Sequence, residues 1–393
     1  MILLSQLNGS KGSKMDRNIK KWIWQHDEYP NFKYNKEALE ELLKSLEYKR
    51  GTLDGISKLF NANDIKKIEI ETLVNEAINT SEIEGEYLKR ESVRASLLKK
   101  LDASFDTTKD SSTHQTDALV EILLDCSMNS EALSIERLHG WHNSLFVSGY
   151  ERLHKINVAS FRKHDDMEVV SGAIGHEKVH YLALPQREII KDIENLLAWC
   201  NSSEENIYIQ SAIAHLWFVV IHPYDDGNGR IARAITDYIL SRQNFSTNQF
   251  KLYSISMAIN SDRRGYYEVL DRTTNLFINR DFDVTAWLKW HLRILSDAMD
   301  EADRNIEYIV QKTKFWDRHR EDNLNGRQIK VLNKILDIGS ENFEGGLNTK
   351  KYMAITKKSK ATVVRDIQEL VLLGCIEQIE GASGRNVRYR IKF

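Results

Sequence analysis

The stretch His222-Pro223-Tyr224-Asp225-Asp226-Gly227-Asn228-Gly229-Arg230-Ile231-Ala232-Arg233 decides how the rest of the chain is read. An apolar helical run, Ala214 to Ile221, leads into it, and a second helical pattern, Ile231 to Leu240, leaves it. A tight glycine-rich loop therefore joins two buried helices. Gly227 and Gly229 allow positive φ and a close approach of backbone N–H groups, which converge on one point. That point lies at a helix N-terminus, where free amides and the macrodipole favour an anion. Arg230 and Arg233, three apart on the first turn, can face the same anion and grip phosphate oxygens bidentately. Asp226 at the mouth can hold a hard cation such as Mg²⁺ against phosphates. His222 on the other lip has an ordinary pKa suited to taking a proton near neutral pH. A phosphate cradle, a metal ligand and a base describe phosphoryl or nucleotidyl transfer.

Outward from this loop the pattern is mainly helical. Helices are expected over 37–62, 65–101, 117–128, 133–147, 186–201, 205–221, 229–243 and 284–310, with a polar connector at 102–117. Residues 1–20 read as a loose arm, followed by a cluster of aromatics (Trp22, Trp24, Tyr29, Phe32, Tyr34) that suits packing or docking. Between 160 and 185 the period shortens. Two strands around Gly172 and Gly175 make a hairpin. The last 70 residues or so read as helix (327–336), a short helix after Asn348, helix (359–374), then two strands about the turn 381–384. That is the order of a winged helix-turn-helix. From Thr349 to Phe393 ten Lys/Arg face four Asp/Glu, so a basic face lies here.

Composition excludes several classes. With 41% hydrophobic residues and 28% charged, 393 residues can bury real cores, which rules out a disordered or fibrous chain and suggests two or three domains. A formal charge of -2 announces neither nucleic acid nor membrane as the partner of the whole chain. Three distant cysteines make no disulfide framework, which fits a reducing compartment. The start is a poor signal peptide and the apolar run Ala212–Ile221 is too short to span a bilayer, so a cytoplasmic protein without membrane contact is expected.

The run 222–233 resembles the Fic family signature, His-x-Phe-x-Asp/Glu-Gly-Asn-Gly-Arg-x-x-Arg, at every defined position but one; Tyr224 stands where phenylalanine is usual. With the preceding helix (133–146), the hairpin and the helices after the motif, the resemblance covers roughly residues 115–300. It implies a protein adenylyltransferase. His222 would deprotonate a target hydroxyl, Asp226 would bind Mg²⁺ bridging the α- and β-phosphates of ATP, and Gly227, Asn228 and Gly229 would form the anion hole. Asn228 would also contact phosphate. Arg230 would grip the departing phosphates and Arg233 the γ-phosphate. Gly229 favours AMP transfer, since family members that phosphorylate tend to carry lysine there. Tyr266 and Tyr267 are placed in the adenine pocket by their position after the motif.

Thr80-Ser81-Glu82-Ile83-Glu84-Gly85 matches a second family pattern, the inhibitory Ser/Thr-x-x-x-Glu-Gly/Asn, with Thr80, Glu84 and Gly85 at its defined positions. A carboxylate presented at a helix end could salt-bridge Arg233 and fill the γ-phosphate space. The same glutamate could orient a water for removal of AMP, which leaves the direction of the reaction open. The hairpin 168–184 resembles the flap that clamps a target peptide by strand addition.

Two decoys are set aside. His176-Glu177-Lys178-Val179-His180 fits HExxH, but glycines before it and Pro185 after it deny it a helix. The Asp225–Arg230 run resembles a calcium loop, but Arg230 and Ile231 occupy positions needing a ligand and a glycine. His139 and His142 read as core histidines.

The expectation is thus a mostly α protein: a helical regulatory region over 1–115, a Fic-type core with a β-hairpin flap over 116–310, and a winged helix over 320–393. Its partners would be ATP, a target protein along the flap, DNA or protein at the winged helix (through Lys357, Lys358, Lys360, Arg365, Arg385 and Arg388), and a second copy of itself in a homodimer. The alternative is a DNA-binding regulator whose core senses nucleotide.

Overall fold

Three prolines in 393 residues leave helices little to interrupt them, and the computed structural model is mostly helical. It describes residues 4–6, 20–102, 106, 108, 110–146, 149–151, 154–165, 167–171, 178–242, 251–338, 343, 345–379 and 387–393. The chain divides into two compact units, Met1–Ala302 and Asp303–Phe393.

The first unit begins with β1 (Leu4–Gln6), a strand inside the segment expected to be a loose arm. Trp22 to Tyr34 follows as short turns whose aromatics pack inward. Trp24, Tyr29 and Phe32 lie on the main core, and Trp24 Nε1 donates to the Leu182 carbonyl at 2.8 Å. Then come α1 (Glu40–Ser57), α2 (Ala62–Ile83) and α3 (Arg90–Leu101). The single helix expected over 65–101 is two helices. The break has a physical cause: Gly85 takes φ +83, and the Gly85 and Glu86 amides bond back to Glu82 (2.9 Å) and Ser81 (2.9 Å), a Schellman reversal.

Next, α4 (His114–Met128) starts inside the expected connector, because Thr113 and Thr116 form a reciprocal cap. Ser134 caps α5 (Ile135–Leu145). A two-stranded pair, β2 (Tyr150–Glu151) with β3 (His154–Lys155), precedes β4 (Glu168–Ser171) and β5 (Lys178–Leu182). The sheet order is β1-β4-β5, antiparallel throughout. Leu4–Gln6 thereby satisfies the edge of β4 that a lone hairpin would leave unpaired. Gly172 and Gly175, expected in the hairpin turn, lie outside the described residues, as does His176.

The helices α6 (Ile189–Ser202), α7 (Ile207–Ile221) and α8 (Asn228–Ser241) fall where the apolar stripes put them. Helix α7 is apolar almost all round and correspondingly buried on all sides. Packed on α8 and α6, it centres a core including Leu196, Phe218, Tyr224 and Ile235. A second cluster, with Leu73, Val74, Val93 and Val120, joins α2, α3 and α4. Helices α9 (Ile255–Ser261) and α10 (Arg263–Thr274) were not expected; Ser254 and Asp262 cap them. The last, α11 (Thr285–Arg318), contains the unit boundary.

The second unit contains α12 (Gly326–Ile338), α13 (Thr349–Thr356), α14 (Lys360–Leu372) and an antiparallel pair, β6 (Ile376–Gln378) with β7 (Tyr389–Ile391). Val331, Leu332, Tyr352, Val363, Leu370 and Ile391 form its core. Asp366 is a polar hub, taking Arg327 Nε at 2.9 Å and the Tyr352 hydroxyl at 3.2 Å. The turn 381–384 and Arg385 lie outside the described residues. Among those described, no helix is long and apolar enough to cross a membrane.

Candidate active site

The site grows from the junction of α7 and α8. Helix α7 ends because His222 adopts a left-handed backbone (φ 50, ψ 59), unusual for a residue with a side chain. Arg162, fully buried, holds it there: its Nε donates to the His222 carbonyl at 2.9 Å, and its amide donates to the Pro223 carbonyl at 2.9 Å. Its Nη1 and Nη2 go to the carbonyls of His164 and Leu184.

Within the loop, Asn228 ties both ends of a turn. Its Oδ1 accepts from the Tyr224 amide at 3.0 Å and its Nδ2 donates to the Tyr224 carbonyl at 2.8 Å. The side chain expected to meet phosphate is thus engaged in closing the loop. Asp225 locks the outside, accepting from Asn157 and facing His164. Tyr224 is buried where the pattern wanted an aromatic ring. It stacks on His142 (4.1 Å between centroids) and its hydroxyl meets His139 Nδ1 at 2.9 Å. Both histidines belong to this packing, and burial lowers the pKa of each. Gly227 opens α8 with φ +79, and a Cβ there would lie 2.8 Å from the Phe146 ring.

Facing this junction is a cavity of about 660 Å³. His222, Asp226, Asn228 and Gly229 line one side; Tyr266, Tyr267, Arg263 and Arg264 of α10 line another. Val169, His180 and Tyr181 come from the hairpin, and Glu84 from the end of α2. Seven of the residues singled out in the sequence therefore share one wall system. Gly227, Arg230 and Arg233 do not line this cavity. Arg233 is 1% exposed: its Nε donates to Thr80 Oγ1 at 2.8 Å and its Nη2 to Glu84 Oε1 at 2.7 Å. Arg230 donates through Nη1 to both carboxylate oxygens of Glu86, at 2.9 and 3.0 Å. The segment Thr80–Glu86 thus engages both motif arginines.

Residues 132–240 match the Fic/DOC family. The chain carries a Fic/DOC family domain. Residues 22–103, which hold the Thr80–Gly85 pattern, match a domain of unknown function, DUF4172. Among solved structures, a Fic family protein from Desulfovibrio desulfuricans G20 shares the fold with a TM-score of 0.52 and 19% identity, over 91% of this chain and 97% of that one. A Fic domain containing signaling protein from Bacteroides thetaiotaomicron gives 0.49 and 17%, over 68% of this chain and 97% of the other. Fic-1 (residues 134–508) from C. elegans gives 0.47 and 18%, over 68% and 72%.

Electrostatics in the Fic domain follow from burial. Desolvation pulls the His222 imidazole down to about 4, so it is neutral at pH 7, and a weaker base than an ordinary histidine. Its Nδ1 lies 3.3 Å from the Val219 carbonyl. A carbonyl only accepts, so this contact puts the proton on Nδ1 and leaves the Nε2 lone pair free. Burial raises the Asp226 carboxyl, only partly countered by Arg230 and the Gly227 amide, which donates to Oδ1 at 2.6 Å. Burial would also raise Glu84, but Arg233, with Arg230 and Arg263 behind it, outweighs it and holds the carboxyl below its usual range.

Sequence reasoning missed Arg162, Arg263 and Glu86. Nothing in the sequence marks Arg162, whose role depends on carbonyls from three separate segments. Glu86 did carry a signal, an acid two residues past Glu84.

Proposed function

We propose that the protein is an adenylyltransferase moving AMP from ATP to a hydroxyl side chain of a target protein, held down by its own Glu84. The observation that carries this reading is that His222, Asp226 and Gly229 line one cavity at the N-terminus of α8 together with Tyr266 and Tyr267. In the step, His222 Nε2 takes the proton of the hydroxyl as its oxygen bonds to the α-phosphorus. The bond from that phosphorus to the bridging oxygen breaks, and pyrophosphate leaves. The Gly227–Gly229 backbone and the helix N-terminus receive the phosphate charge. Arg230 and Arg233 hold the departing phosphates once Glu86 and Glu84 give them up. Tyr266 and Tyr267 offer aromatic faces to adenine.

Asp226 suits a divalent cation: it is a half-buried carboxylate lining the cavity, and Arg230 only partly offsets the desolvation that raises it. Bound Mg²⁺ would screen phosphate charge there. The Glu84 carboxylate stands where the terminal phosphate must go, and by directing a water it would also support removal of AMP. An extended target segment would add to the edge of β5, which pairs with no further strand among the described residues, or displace β1 from β4.

The deciding experiment incubates lysate and α-labelled ATP with the Glu84→Gly protein, beside a Glu84→Gly/His222→Ala control. Labelled protein bands dependent on His222 support the reading. Unlabelled lysate together with an unlabelled enzyme would refute it.

A second reading concerns Asp303–Phe393 alone. Helix, helix, helix and strand pair follow in winged-helix order, and Lys357, Lys358, Lys360, Arg365 and Arg388 are exposed. These cations support duplex DNA binding by this unit. Salt-sensitive binding that persists in His222→Ala, with no AMP transfer by any variant, would make the protein a DNA-binding regulator instead.

A further inference from the structure

The carboxylate on Arg230 belongs to neither family pattern, yet its geometry rivals that of Glu84 on Arg233. Arg230 is 8% exposed and its Nη1 is shared between the two oxygens of Glu86. Its Nε has no hydrogen-bond partner among the described residues, and its guanidinium lies 5.2 Å from the centroid of the Phe146 ring. Glu86 therefore supplies the hydrogen-bonded counter-ion of a buried cation. Gln115 Nε2 steadies it from α4 at 3.3 Å.

Both ion pairs follow from the way α2 stops. On a continuing helix, residues 84 and 86 would stand about 200° apart and could not serve one partner helix. The left-handed turn at Gly85 (φ +83) reverses the chain instead. Glu84 and Glu86, on either side of that glycine, then reach arginines one turn apart on α8.

We propose that Glu86 is a second inhibitory group. It neutralises Arg230, the guanidinium that the departing phosphates of a nucleotide require, so that the end of α2 blocks the phosphate site at two points. The inference rests on the AMP-transfer reading only for which phosphates Arg230 meets. Its consequence is specific: removing Glu84 frees Arg233 and leaves Arg230 occupied, so Glu84→Gly is partly released. A polyphosphate entering that variant must still displace a carboxylate from a buried arginine. A ligand without departing phosphates makes no such demand.

The test uses the full chain as Glu84→Gly, Glu84→Gly/Glu86→Gln and Glu84→Gly/Glu86→Ala. Calorimetry with Mg²⁺ measures affinity for α,β-methylene-ATP, with AMP as the comparison ligand, and self-labelling from α-labelled ATP is followed in parallel. Both Glu86 variants are expected to bind the triphosphate analogue about 5-fold tighter or better than Glu84→Gly, with AMP affinity unchanged. Equal analogue affinity with and without Glu86 overturns the proposal, even where Glu84→Gly transfers label and the functional reading survives. The converse also separates them: tighter analogue binding without transfer by any variant supports the clasp and refutes AMP transfer. Failure of every variant to bind the analogue overturns both.

Discussion

Arg162 donates to the carbonyl oxygen of His222 at 2.9 Å, from a position with no solvent exposure at all. One guanidinium thereby fixes the left-handed residue at the end of α7, the segment at His164 and the strand exit at Leu184. Burial pulls it down to about 10, which still leaves it charged at neutral pH. Arg162→Met strands three carbonyls and should cost about 3 kcal/mol or more, read as a lowered urea midpoint. Arg162→Lys keeps the charge but has no planar fork, so it should recover only part of that loss. An unchanged midpoint in both variants would show that the fork does not hold the loop.

Tyr266 serves the cavity with its ring and the core with its hydroxyl. Thr236 donates to the Ala232 carbonyl at 2.9 Å, so its oxygen accepts from His215 Nδ1, leaving His215 Nε2 to accept from the Tyr266 hydroxyl at 2.9 Å. Tyr266→Phe keeps the ring and orphans a fully buried nitrogen. The expected cost is about 1–3 kcal/mol in chemical unfolding, with nucleotide affinity little changed. Tyr267 has no such bond to His215, so Tyr267→Phe should leave the midpoint within about 0.5 kcal/mol.

What the sequence disclosed follows the same division between local and distant causes. The loop 222–233 was legible because glycines, arginines and apolar stripes act within a few residues of one another, and α7 and α8 fall beside it as expected. Glu84 was legible from a short pattern, and its partner Arg233 lies 2.7 Å away. The break at Gly85 was missed because the apolar stripe runs on through α3, while the reversal depends on backbone bonds to Ser81 and Glu82. Strand β1 was missed because three residues carry no periodicity, and only the edge of β4 gives them a reason to extend. Arg162 looks like any surface arginine until three chain segments close around it.

Gly229 is constrained by Glu84 rather than by its own backbone. A Cβ at that position would lie 2.4 Å from Glu84 Oε1, closer than any contact distance. In a helix first turn alanine is otherwise favoured over glycine by up to about 1 kcal/mol. Gly229→Ala should therefore destabilise the parent by about 1 kcal/mol or more, yet be neutral or stabilising in the Glu84→Gly background. The double-mutant cycle should give a coupling of at least about 1 kcal/mol. Additive effects would mean that Glu84 moves aside at no cost and does not define the space above Gly229.

Burial of histidines gives the first unit a pH response of definite sign. Desolvation lowers His142 and His222 to about 4 and His291 to about 3, and takes His215 well below its usual 6.5. The unfolded chain binds protons at these rings near pH 6.5 and the folded chain does not, so stability falls as pH drops from 6.5 towards 4. Each ring contributes a slope of up to about 1.4 kcal/mol per pH unit in that window. Asp237 works the other way: burial beside Glu76 raises its carboxyl although Lys251 pairs with it at 2.9 Å, so the folded state holds a proton there more readily than the unfolded state does. With His139, five lowered rings stand against three raised carboxyls, Asp192, Asp226 and Asp237, which leaves a net loss in acid. Thermal midpoints should thus fall between pH 7 and 5, before ordinary carboxylates titrate, and fall less steeply in His291→Gln. The same neutral ring sets the activity profile: in Glu84→Gly, the acid limb of kcat/KM should lie below pH 6.5, because His222 keeps its lone pair down to about 4. Midpoints that stay level from pH 7 to 5 would mean that these imidazoles reach water more easily than their burial implies.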